Sequence, residues 1–280
     1  MEQQNMISLR GVGYSYSDTG RPALEDISFE VRQGEWIALV GSNGSGKSTL
    51  AKHLNALLIP TQGACFISGM DTREEENLWK IRVAVSMVFQ NPENQIVSTV
   101  VEDDVAFGPE NLGLPPEEIR RRVDLALKIC GLSAKADKAV YTLSGGQKQR
   151  LAIAGALAMG TQCIVLDEPT AMLDPEGRQE ITSLLHKLHA RGITIILVTH
   201  RLEEIIDADR VLVLNGGHLE WQGTPSELFH LKNISGKWGL EVPPLLRLKE
   251  RLVTAGLIPG ETPPAAEEIG TALCRSLSKN

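Results

Sequence analysis

Four short and nearly continuous apolar runs mark the centre of the chain. They are WIALV (36–40), VAVSMVF (83–89), CIVLD (163–167) and ITIILVT (193–199). Runs of this length that are rich in Val and Ile are typical of strands buried on both faces of a parallel sheet. Helical patterns lie between them, so their order predicts an α/β core.

The patterns around these runs predict further layers. Residues 7–31 alternate between apolar and polar positions, which favours an antiparallel β layer. From about residue 91, helical patterns appear without a strand signal, and 115–131 reads as an amphipathic helix that ends at Gly131. We interpret this region as a helical lobe inserted into the α/β core.

The last third of the chain contains a hairpin and then a change of character. RVLVLNGGHLEWQG (210–223) predicts two strands that turn at Asn215, Gly216 and Gly217. Thr224 and Glu227 then have the spacing of a capping box at a helix start. From about residue 236, the segments EVPP, IPG and ETPP predict a separate, short helical tail.

Composition narrows the class of protein. Of the 280 residues, 42% are hydrophobic and 22% are charged, which is ordinary for a soluble protein. The formal net charge of -7 does not favour binding to nucleic acid. No apolar run approaches the roughly 18 to 20 residues that a membrane span requires. The four cysteines lack metal-ligand spacing, so we expect buried free thiols in a reducing cytosol; they are Cys65, Cys130, Cys163 and Cys274.

A glycine-rich stretch after the first core run predicts a site for a nucleoside triphosphate. GSNGSGKS fits the pattern G-x-x-x-x-G-K-[ST], and it lies between a strand pattern and a helix pattern. Its backbone would wrap the phosphates, Lys47 would supply positive charge, and Ser48 would bind magnesium. The residues of this predicted site are Gly41, Ser42, Asn43, Gly44, Ser45, Gly46, Lys47, Ser48 and Thr49.

The third core run supplies two carboxylates. CIVLD delivers Asp167 at the end of a predicted strand, where a carboxylate can hold the magnesium ion of a bound nucleotide. Glu168 follows directly and is a natural general base for an attacking water. P-loop kinases and switch GTPases share the first motif, so these two motifs alone do not identify a function.

A second glycine-rich stretch distinguishes this chain from those proteins. TLSGGQKQR (142–150) opens a predicted helix with Ser144, Gly145, Gly146 and Gln147, and free N–H groups at such a start can bind an anion. Together with the P-loop, this stretch resembles the signature motif of ATP-binding cassette (ABC) transporter subunits. The resemblance implies that LSGGQ closes on the ATP held by a facing subunit in a head-to-tail pair.

The same resemblance assigns further residues and a fold. Tyr16, with Tyr14 as the alternative, matches the aromatic residue that stacks on adenine. Gln90 matches the glutamine that touches magnesium and water, so the implied metal-binding residues are Ser48, Gln90 and Asp167. Asp174 matches a loop that communicates across the dimer, and His200 matches the switch histidine at the γ-phosphate.

The implied architecture is a P-loop NTPase of the ABC type. It comprises a RecA-like parallel-sheet core, an antiparallel β subdomain and a helical lobe at about 91–160, all within a nucleotide-binding domain of residues 1–235. Residues 236–280 form a helical extension that is expected to support the dimer.

Longer stretches resemble one subgroup. FQNPENQIVSTVVEDDVAFGPENLGL (89–114), AMLDP and the tail GLEVPPLLRLKERLVTAGL are similar to the energy-coupling factor (ECF) ATPases, also called the CbiO type. AMLDP replaces the more frequent SALDP form of its loop. The resemblance implies magnesium-dependent ATP hydrolysis that powers uptake of a vitamin or a transition-metal ion.

The implied partners are a second ABC ATPase chain, identical or related, a transmembrane T component and a substrate-binding membrane S component. The implied location is the cytoplasmic face of the cell membrane. We expect a groove lined in part by residues 90–110, Val105 and Phe107 among them, to receive coupling helices of the membrane partner. The alternatives are a soluble ABC ATPase without a transport role and the ATPase of another ABC transporter type.

Overall fold

The computed structural model describes residues 5–17, 20–231, 234–240, 242–262 and 266–277. Its strands, numbered in chain order, are β1 (Asn5–Tyr14), β2 (Leu24–Arg32), β3 (Trp36–Val40), β4 (Gln62–Ile67), β5 (Met70–Asp71), β6 (Val85–Val88), β7 (Cys163–Asp167), β8 (Thr194–Val198), β9 (Arg210–Asn215) and β10 (His218–Gly223). Its α-helices are α1 (Lys47–His53), α2 (Glu75–Ala84), α3 (Val101–Asn111), α4 (Pro116–Ile129), α5 (Gly145–Ala158), α6 (Pro175–His189), α7 (Pro225–His230), α8 (Ile234–Trp238), α9 (Pro244–Thr254) and α10 (Ala266–Leu277).

A six-stranded sheet forms the centre of the molecule. Its order is β10-β9-β3-β8-β7-β6, and the strands from β9 to β6 pair in parallel. Every residue of β3, β7 and β8 is buried, as expected for strands covered on both faces. The predicted parallel α/β core is therefore confirmed. The carboxyl ends of β3, β6, β7 and β8 meet at one edge of the sheet, where ligands bind in open α/β folds.

Alternate residues of the central strands face two hydrophobic cores. On β3, Trp36, Ala38 and Val40 belong to the core that continues into α3, α4 and α5. Ile37 and Leu39 belong to the core that continues into α1 and the second sheet. The sheet thus joins the helical lobe on one side to the antiparallel layer on the other.

The second sheet is the antiparallel layer that the sequence predicts, with two additional strands. Its order is β2-β1-β4-β5, and all of its pairs are antiparallel. The helical lobe is also present, with α3, α4 and α5 packed together through Val105, Val123 and Leu151. Val105 is completely buried, so it is a core residue of the lobe and does not line a surface groove as expected; Phe107 is 50% exposed.

The predicted hairpin joins β9 and β10. Asn215 pairs with His218, and the two residues between them, Gly216 and Gly217, have φ angles of 56° and 90°. A two-residue turn with both φ angles positive matches the twist of the flanking strands and favours glycine. Thr224 and Glu227 then form the predicted capping box, since each side chain accepts a hydrogen bond from the other's backbone N–H.

The helical tail begins after α8. Ile234, Trp238 and Leu240 are buried in the core that includes the helical lobe, and Trp238 Nε1 donates a hydrogen bond to Glu220 Oε2 at 2.8 Å. The expected boundary at residue 236 falls inside α8. The two helices that follow α8 are α9 and α10. None of the helices in the described residues is long and apolar enough to cross a bilayer.

The cysteines differ in their environments. Cys65, Cys130 and Cys163 are buried, whereas Cys274 on α10 is exposed. Burial raises the pKa of the Cys65 thiol and of the Cys130 thiol to about 12, and it raises the pKa of Cys163 as well. These three groups therefore keep their protons at neutral pH.

Candidate nucleotide site

The glycine-rich loop lies between β3 and α1 and packs closely against neighbouring backbone. A Cβ atom on Gly41 would lie 2.1 Å from the carbonyl oxygen of Leu214, and one on Gly46 would lie 2.6 Å from that of Ala23. Only residues without a side chain fit at these two positions. The sequence pattern therefore reflects a loop that is pressed against two other segments of the chain.

Lys47 folds back over this loop. Its ammonium group donates hydrogen bonds to the carbonyl oxygens of Gly41 at 2.9 Å and Ser42 at 3.0 Å. Burial lowers the pKa of Lys47, and the nearby charges of Glu168 and Asp167 oppose that shift. The loop thus holds a cation at the place where the motif requires one for phosphates.

Ser48 and Asp167 form the centre of a possible metal site. Ser48 Oγ donates a hydrogen bond to Asp167 Oδ1 at 3.1 Å. Burial raises the pKa of Asp167, and the bond from Ser48 acts in the opposite direction. No group of three or more His, Cys, Asp or Glu residues in the described chain could enclose a metal. One hydroxyl and one carboxylate fit Mg²⁺, which takes its remaining ligands from phosphates and water.

Glu168 lies beside this pair in an uncommon backbone conformation. Its φ angle is 47°, which non-glycine residues rarely adopt, and its N–H donates to the carbonyl oxygen of Val198 at 2.9 Å. The Glu168 side chain lies between His200 and Gln90, both of which were predicted for the site. Its Oε1 is 3.1 Å from Nδ1 of His200, and its Oε2 is 3.5 Å from Nε2 of Gln90. Since a carboxylate only accepts, the histidine nitrogen donates in this contact.

Of the two candidate tyrosines, Tyr16 is the exposed one, and it lies beside Thr49, just after the glycine-rich loop. The Tyr16 hydroxyl lies 3.0 Å from Thr49 Oγ1, and its side chain is 64% exposed. Tyr14 packs edge-to-face between Tyr16 and the buried ring of His53, with centroid distances of 5.0 and 4.8 Å. Tyr16 is therefore the ring that is available to stack on a base.

These residues line one cavity of about 640 Å³. Its wall contains Tyr16, Asn43, Gly44, Gly46, Lys47, Ser48, Thr49, Gln90 and Glu168, all of them predicted, and also Arg21, Pro22, Ala23, Gly216 and Gly217. Asp167 and His200 touch wall residues, while Gly41, Ser42 and Ser45 lie in the loop itself.

Sequence reasoning missed the second group of wall residues. Gly217 enters the site because its N–H donates to the Ser45 carbonyl at 3.0 Å, and its own carbonyl accepts from the Glu25 N–H at 2.9 Å. The paired glycines of the hairpin turn were the available signal, since a turn without side chains permits close approach of a ligand. Arg21 to Ala23 carried no comparable signal.

The signature residues lie in a separate cavity of about 450 Å³. It is lined by Ser144, Gly145, Gly146, Gln147, Arg150, Met172, Leu173, Asp174, Glu176, Gly177 and Glu180, and it shares none of them with the first cavity. Ser144 Oγ accepts from the Gln147 N–H at 3.3 Å, and Gln147 Oε1 accepts from the Ser144 N–H at 3.1 Å. Asp174 caps α6 by accepting from the Gly177 N–H at 2.8 Å.

Two contacts connect the signature helix to the segment around Gln90. Gln149 Nε2 donates to the carbonyl oxygen of Phe89 at 3.4 Å, and Lys148 forms an ion pair with Glu93. The predicted residues thus divide into two groups within one chain. One group surrounds the glycine-rich loop, and the other surrounds the start of α5.

Comparisons with known proteins identify the family to which the chain is similar. The ABC transporter family profile matches residues 24–171. The chain is 50% identical over 275 residues to the energy-coupling factor transporter ATP-binding protein EcfA1 of Caldanaerobacter subterraneus subsp. tengcongensis, covering 96% of this chain and 99% of that protein. It is 48% identical over 276 residues to EcfA1 of Clostridium novyi, covering 97% and 99%.

Solved structures show the same likeness. CbiO1 from Clostridium perfringens, described as part of the ABC transporter complex CbiONQ, superimposes with a TM-score of 0.77 at 40% identity, covering 89% of this chain and all of that one. The ATP-binding cassette MJ0796, solved as a dimer bound to ADP and Pi, superimposes with a TM-score of 0.70 at 32% identity, covering 79% and 99%.

Proposed function

The chain belongs to the energy-coupling factor transporter ATP-binding proteins of the ABC family, and we propose that it hydrolyses ATP to drive uptake of a vitamin or a transition-metal ion through separate membrane subunits. The observation that supports this most is the arrangement of two cavities. One contains Lys47, Glu168 and Ser48, whose hydroxyl is hydrogen-bonded to Asp167, and the other contains the signature residues.

The first cavity has the groups that phosphoryl transfer to water requires. Lys47 exchanges its two carbonyl partners for phosphate oxygens, which attract its ammonium group more strongly. Ser48, Gln90 and Asp167 would hold Mg²⁺, which would neutralise phosphate charge. Tyr16 stacks on the adenine ring. The chain's contribution is positioning and electrostatic stabilisation rather than covalent chemistry.

Glu168 and His200 act on the water and the γ-phosphate. Glu168 orients the attacking water and accepts its proton at a carboxylate oxygen. His200 holds that carboxylate through its Nδ1–H, and when both ring nitrogens carry a proton its Nε2–H can donate to the γ-phosphate. The left-handed backbone at Glu168 directs the carboxylate toward the cavity, as strained residues at active sites often do.

The second cavity supports a composite site shared by two chains. The signature residues line a cavity that shares no residue with the nucleotide cavity of the same chain, which supports a site built from the P-loop of one subunit and the signature motif of the facing subunit. The MJ0796 cassette, which was solved as a dimer bound to ADP and Pi, supports such a pair. Asp174 lies beside the signature residues and contacts the facing chain. The second chain is an identical copy or a related ATPase, and α9 and α10 support the pair.

The membrane partners are a transmembrane T component and a substrate-binding S component. The relative CbiO1 is part of the complex CbiONQ, which supports a multi-subunit assembly. The T component docks on the lobe beside the Gln90 segment, where Val97 and Phe107 are 58% and 50% exposed. We propose that the chain acts at the cytoplasmic face of the cell membrane.

Substitution of the general base tests the proposed chemistry. Glu168→Gln keeps the shape of the side chain but removes its ability to accept a proton, so we expect ATP turnover to fall by about 10²–10⁴-fold. Phosphate release from Mg-ATP measures the turnover, and equilibrium dialysis with labelled ATP should show that binding persists. Glu203→Gln, an exposed neighbour of the site, is the control. Near-normal turnover by Glu168→Gln would falsify the proposal.

A further inference from the structure

One carboxylate connects the two segments that carry Glu168 and His200. Glu204 lies in a short 3₁₀ turn, Leu202–Glu204, just after the switch histidine. Its Oε1 accepts a hydrogen bond from the Thr170 hydroxyl, and its Oε2 accepts one from the Thr199 hydroxyl at 2.8 Å. We call these three residues the Glu204 clamp. The two threonines are 3% and 2% exposed, so both hydroxyls depend on protein partners.

The position of each threonine makes the clamp relevant to catalysis. Thr170 follows Glu168 by two residues and begins the loop to Asp174, where its carbonyl accepts from the Leu173 N–H at 3.1 Å. Thr199 directly precedes His200, and its hydroxyl also accepts from the Arg201 N–H at 3.0 Å. The clamp therefore crosslinks the two segments next to the contact between Glu168 and His200.

The backbone of Glu168 requires such support. A non-glycine residue at a φ of 47° is strained, and it keeps that conformation only when its surroundings impose it. On the N-terminal side, β7 and the bond from Glu168 N–H to Val198 provide this constraint. On the C-terminal side, the chain leaves the sheet, and the clamp ties Thr170 to the 199–204 segment.

We propose that Glu204 is a positioning residue that sets the distance between the Glu168 carboxylate and the His200 ring, and that it holds the 170–174 loop in register with them. This inference rests on the proposed function, because it concerns the hydrolysis step of the same site. Glu204 itself lies outside the wall of the nucleotide cavity. It acts through Thr170 and Thr199.

The test compares Glu204 with its neighbour in the same turn. Glu203 is 55% exposed and makes only a long ion pair of 3.6 Å with Arg201 among its described contacts, so Glu203→Ala is a matched control. For Glu204→Ala, we expect kcat to fall by about 10- to 100-fold, since small misplacements of catalytic groups have effects of this size. The KM for ATP should change less than about twofold, because phosphate contacts are intact. Equal kcat values for the two variants would overturn the proposal.

Variants of the two threonines distinguish a positioning role of the Glu204 clamp from a general loss of packing. Thr170→Ser and Thr199→Ser retain the hydroxyl donors and should keep most of the activity, whereas Thr170→Val removes one donor at nearly constant volume and should lose it. In a His200→Ala background, Glu204→Ala should reduce kcat by a smaller factor than in the wild type, since the Glu168–His200 pair is already broken and only the hold on the 170–174 loop is left to lose. Full additivity of these two effects would contradict the positioning role.

A measurement without turnover keeps the two proposals separate. Hydrogen exchange of the intact chain should show faster exchange at the Leu173 and Arg201 amides in Glu204→Ala, by about tenfold or more, than in Glu203→Ala. If exchange changes but kcat does not, the clamp is only structural and the inference fails. If the wild-type chain hydrolyses no Mg-ATP either alone or paired with a related ATPase chain, the proposed function fails, and unchanged exchange would then reject the clamp on its own.

Discussion

His53 is a buried residue that connects the rings of Tyr14 and Tyr16 to α1, the helix after the P-loop. It lies at the end of α1, its ring packs against Tyr14, and its Nδ1 lies 2.8 Å from the carbonyl oxygen of Thr49. Thr49 in turn contacts the Tyr16 hydroxyl. His53 Nε2 is buried and has no hydrogen-bond partner among the described residues. A proton added there would create a buried charge, which is unfavourable without a partner.

Acid should therefore destabilise the fold through His53. Burial lowers the pKa of His53 below the ordinary value of 6.5, so the unfolded chain binds the proton more readily than the folded chain. Its contribution to stability is complete above pH 6.5 and is lost as the pH falls toward the folded pKa. Relative to His53→Gln, the wild-type free energy of unfolding should drop by up to about 1.4 kcal/mol per pH unit in this window. Urea unfolding between pH 7 and 5 measures the difference.

The exposed His218 supplies the control for that experiment. Its side chain is 50% exposed and lies 3.4 Å from Glu25 on the surface. His218→Gln makes the same substitution on an exposed ring and so controls for the loss of a histidine as such. A His53→Gln variant with the same acid sensitivity as the wild type would contradict the role given to the buried ring.

At the scale of elements, two of the glycines in the helices of the lobe, Gly108 and Gly155, make opposite predictions. Gly155 lies in α5 with open space around its missing Cβ, whereas a Cβ on Gly108 of α3 would lie 2.6 Å from Met159 Cγ. Gly155→Ala should stabilise the fold by up to about 1 kcal/mol through helix propensity. Gly108→Ala should destabilise it by about 1–3 kcal/mol through overpacking. Chemical denaturation of both variants measures these changes, and a common sign would refute the packing of α3 on the end of α5.

The exposed ring of Phe107 on α3 provides a second prediction for the helical lobe. Phe107→Asp places a charge on the surface proposed for the membrane partner, and it should uncouple transport because apolar contacts at such a surface are lost. ATP binding should be intact, since Phe107 is not part of the nucleotide cavity. Reconstituted vesicles can report uptake and ATP binding in parallel. Loss of both together would contradict a docking role.

The core elements were predictable because their signals are continuous in the sequence. Strands β3, β7 and β8 each bury five consecutive residues, so unbroken apolar runs identify them. β5 is only two residues long, and α2 buries only Ile81, so neither produces a periodic pattern. For this reason β4, β5 and α2 were absent from the sequence prediction, although the antiparallel layer was predicted correctly.

The residues of the candidate site likewise divide into those that the sequence identifies and those that only the fold brings to the site. Lys47, Ser48, Asp167 and Glu168 lie in short motifs whose chemistry can be recognised from spacing alone. Gly216 was predicted only as a turn residue, and its place at the nucleotide cavity depends on how the β9–β10 hairpin folds over the P-loop. Glu204 had no signal, because a glutamate in a solvent-facing turn is common and only the fold brings Thr170 to it.

At the scale of the whole molecule, two separate half-sites predict that inactive chains can complement each other. Lys47→Ala should disable the P-loop half, and Gly146→Asp should place a repelling carboxylate in the signature half. In a head-to-tail pair of the two variants, one of the two sites has both halves intact. We therefore expect the mixture to regain phosphate release that neither chain has alone.

The control is a mixture in which both substitutions are on the same chain together with the Lys47→Ala chain. No pair in that mixture can assemble a complete site. Sedimentation in the presence of ATP should first establish that the variants associate. If associated mixtures of the single variants are no more active than this control, each chain carries a self-contained site and the composite arrangement is wrong.

One of the four cysteines is exposed, so the native chain can be spin-labelled at a single position. Cys65, Cys130 and Cys163 are buried and protonated, and the thiolate is the form that reacts with electrophiles. A maleimide spin label should therefore attach to the folded chain at Cys274 alone. Because Cys274 lies on α10, pulsed electron resonance between two labelled chains would measure the distance between their tails without any engineered cysteine.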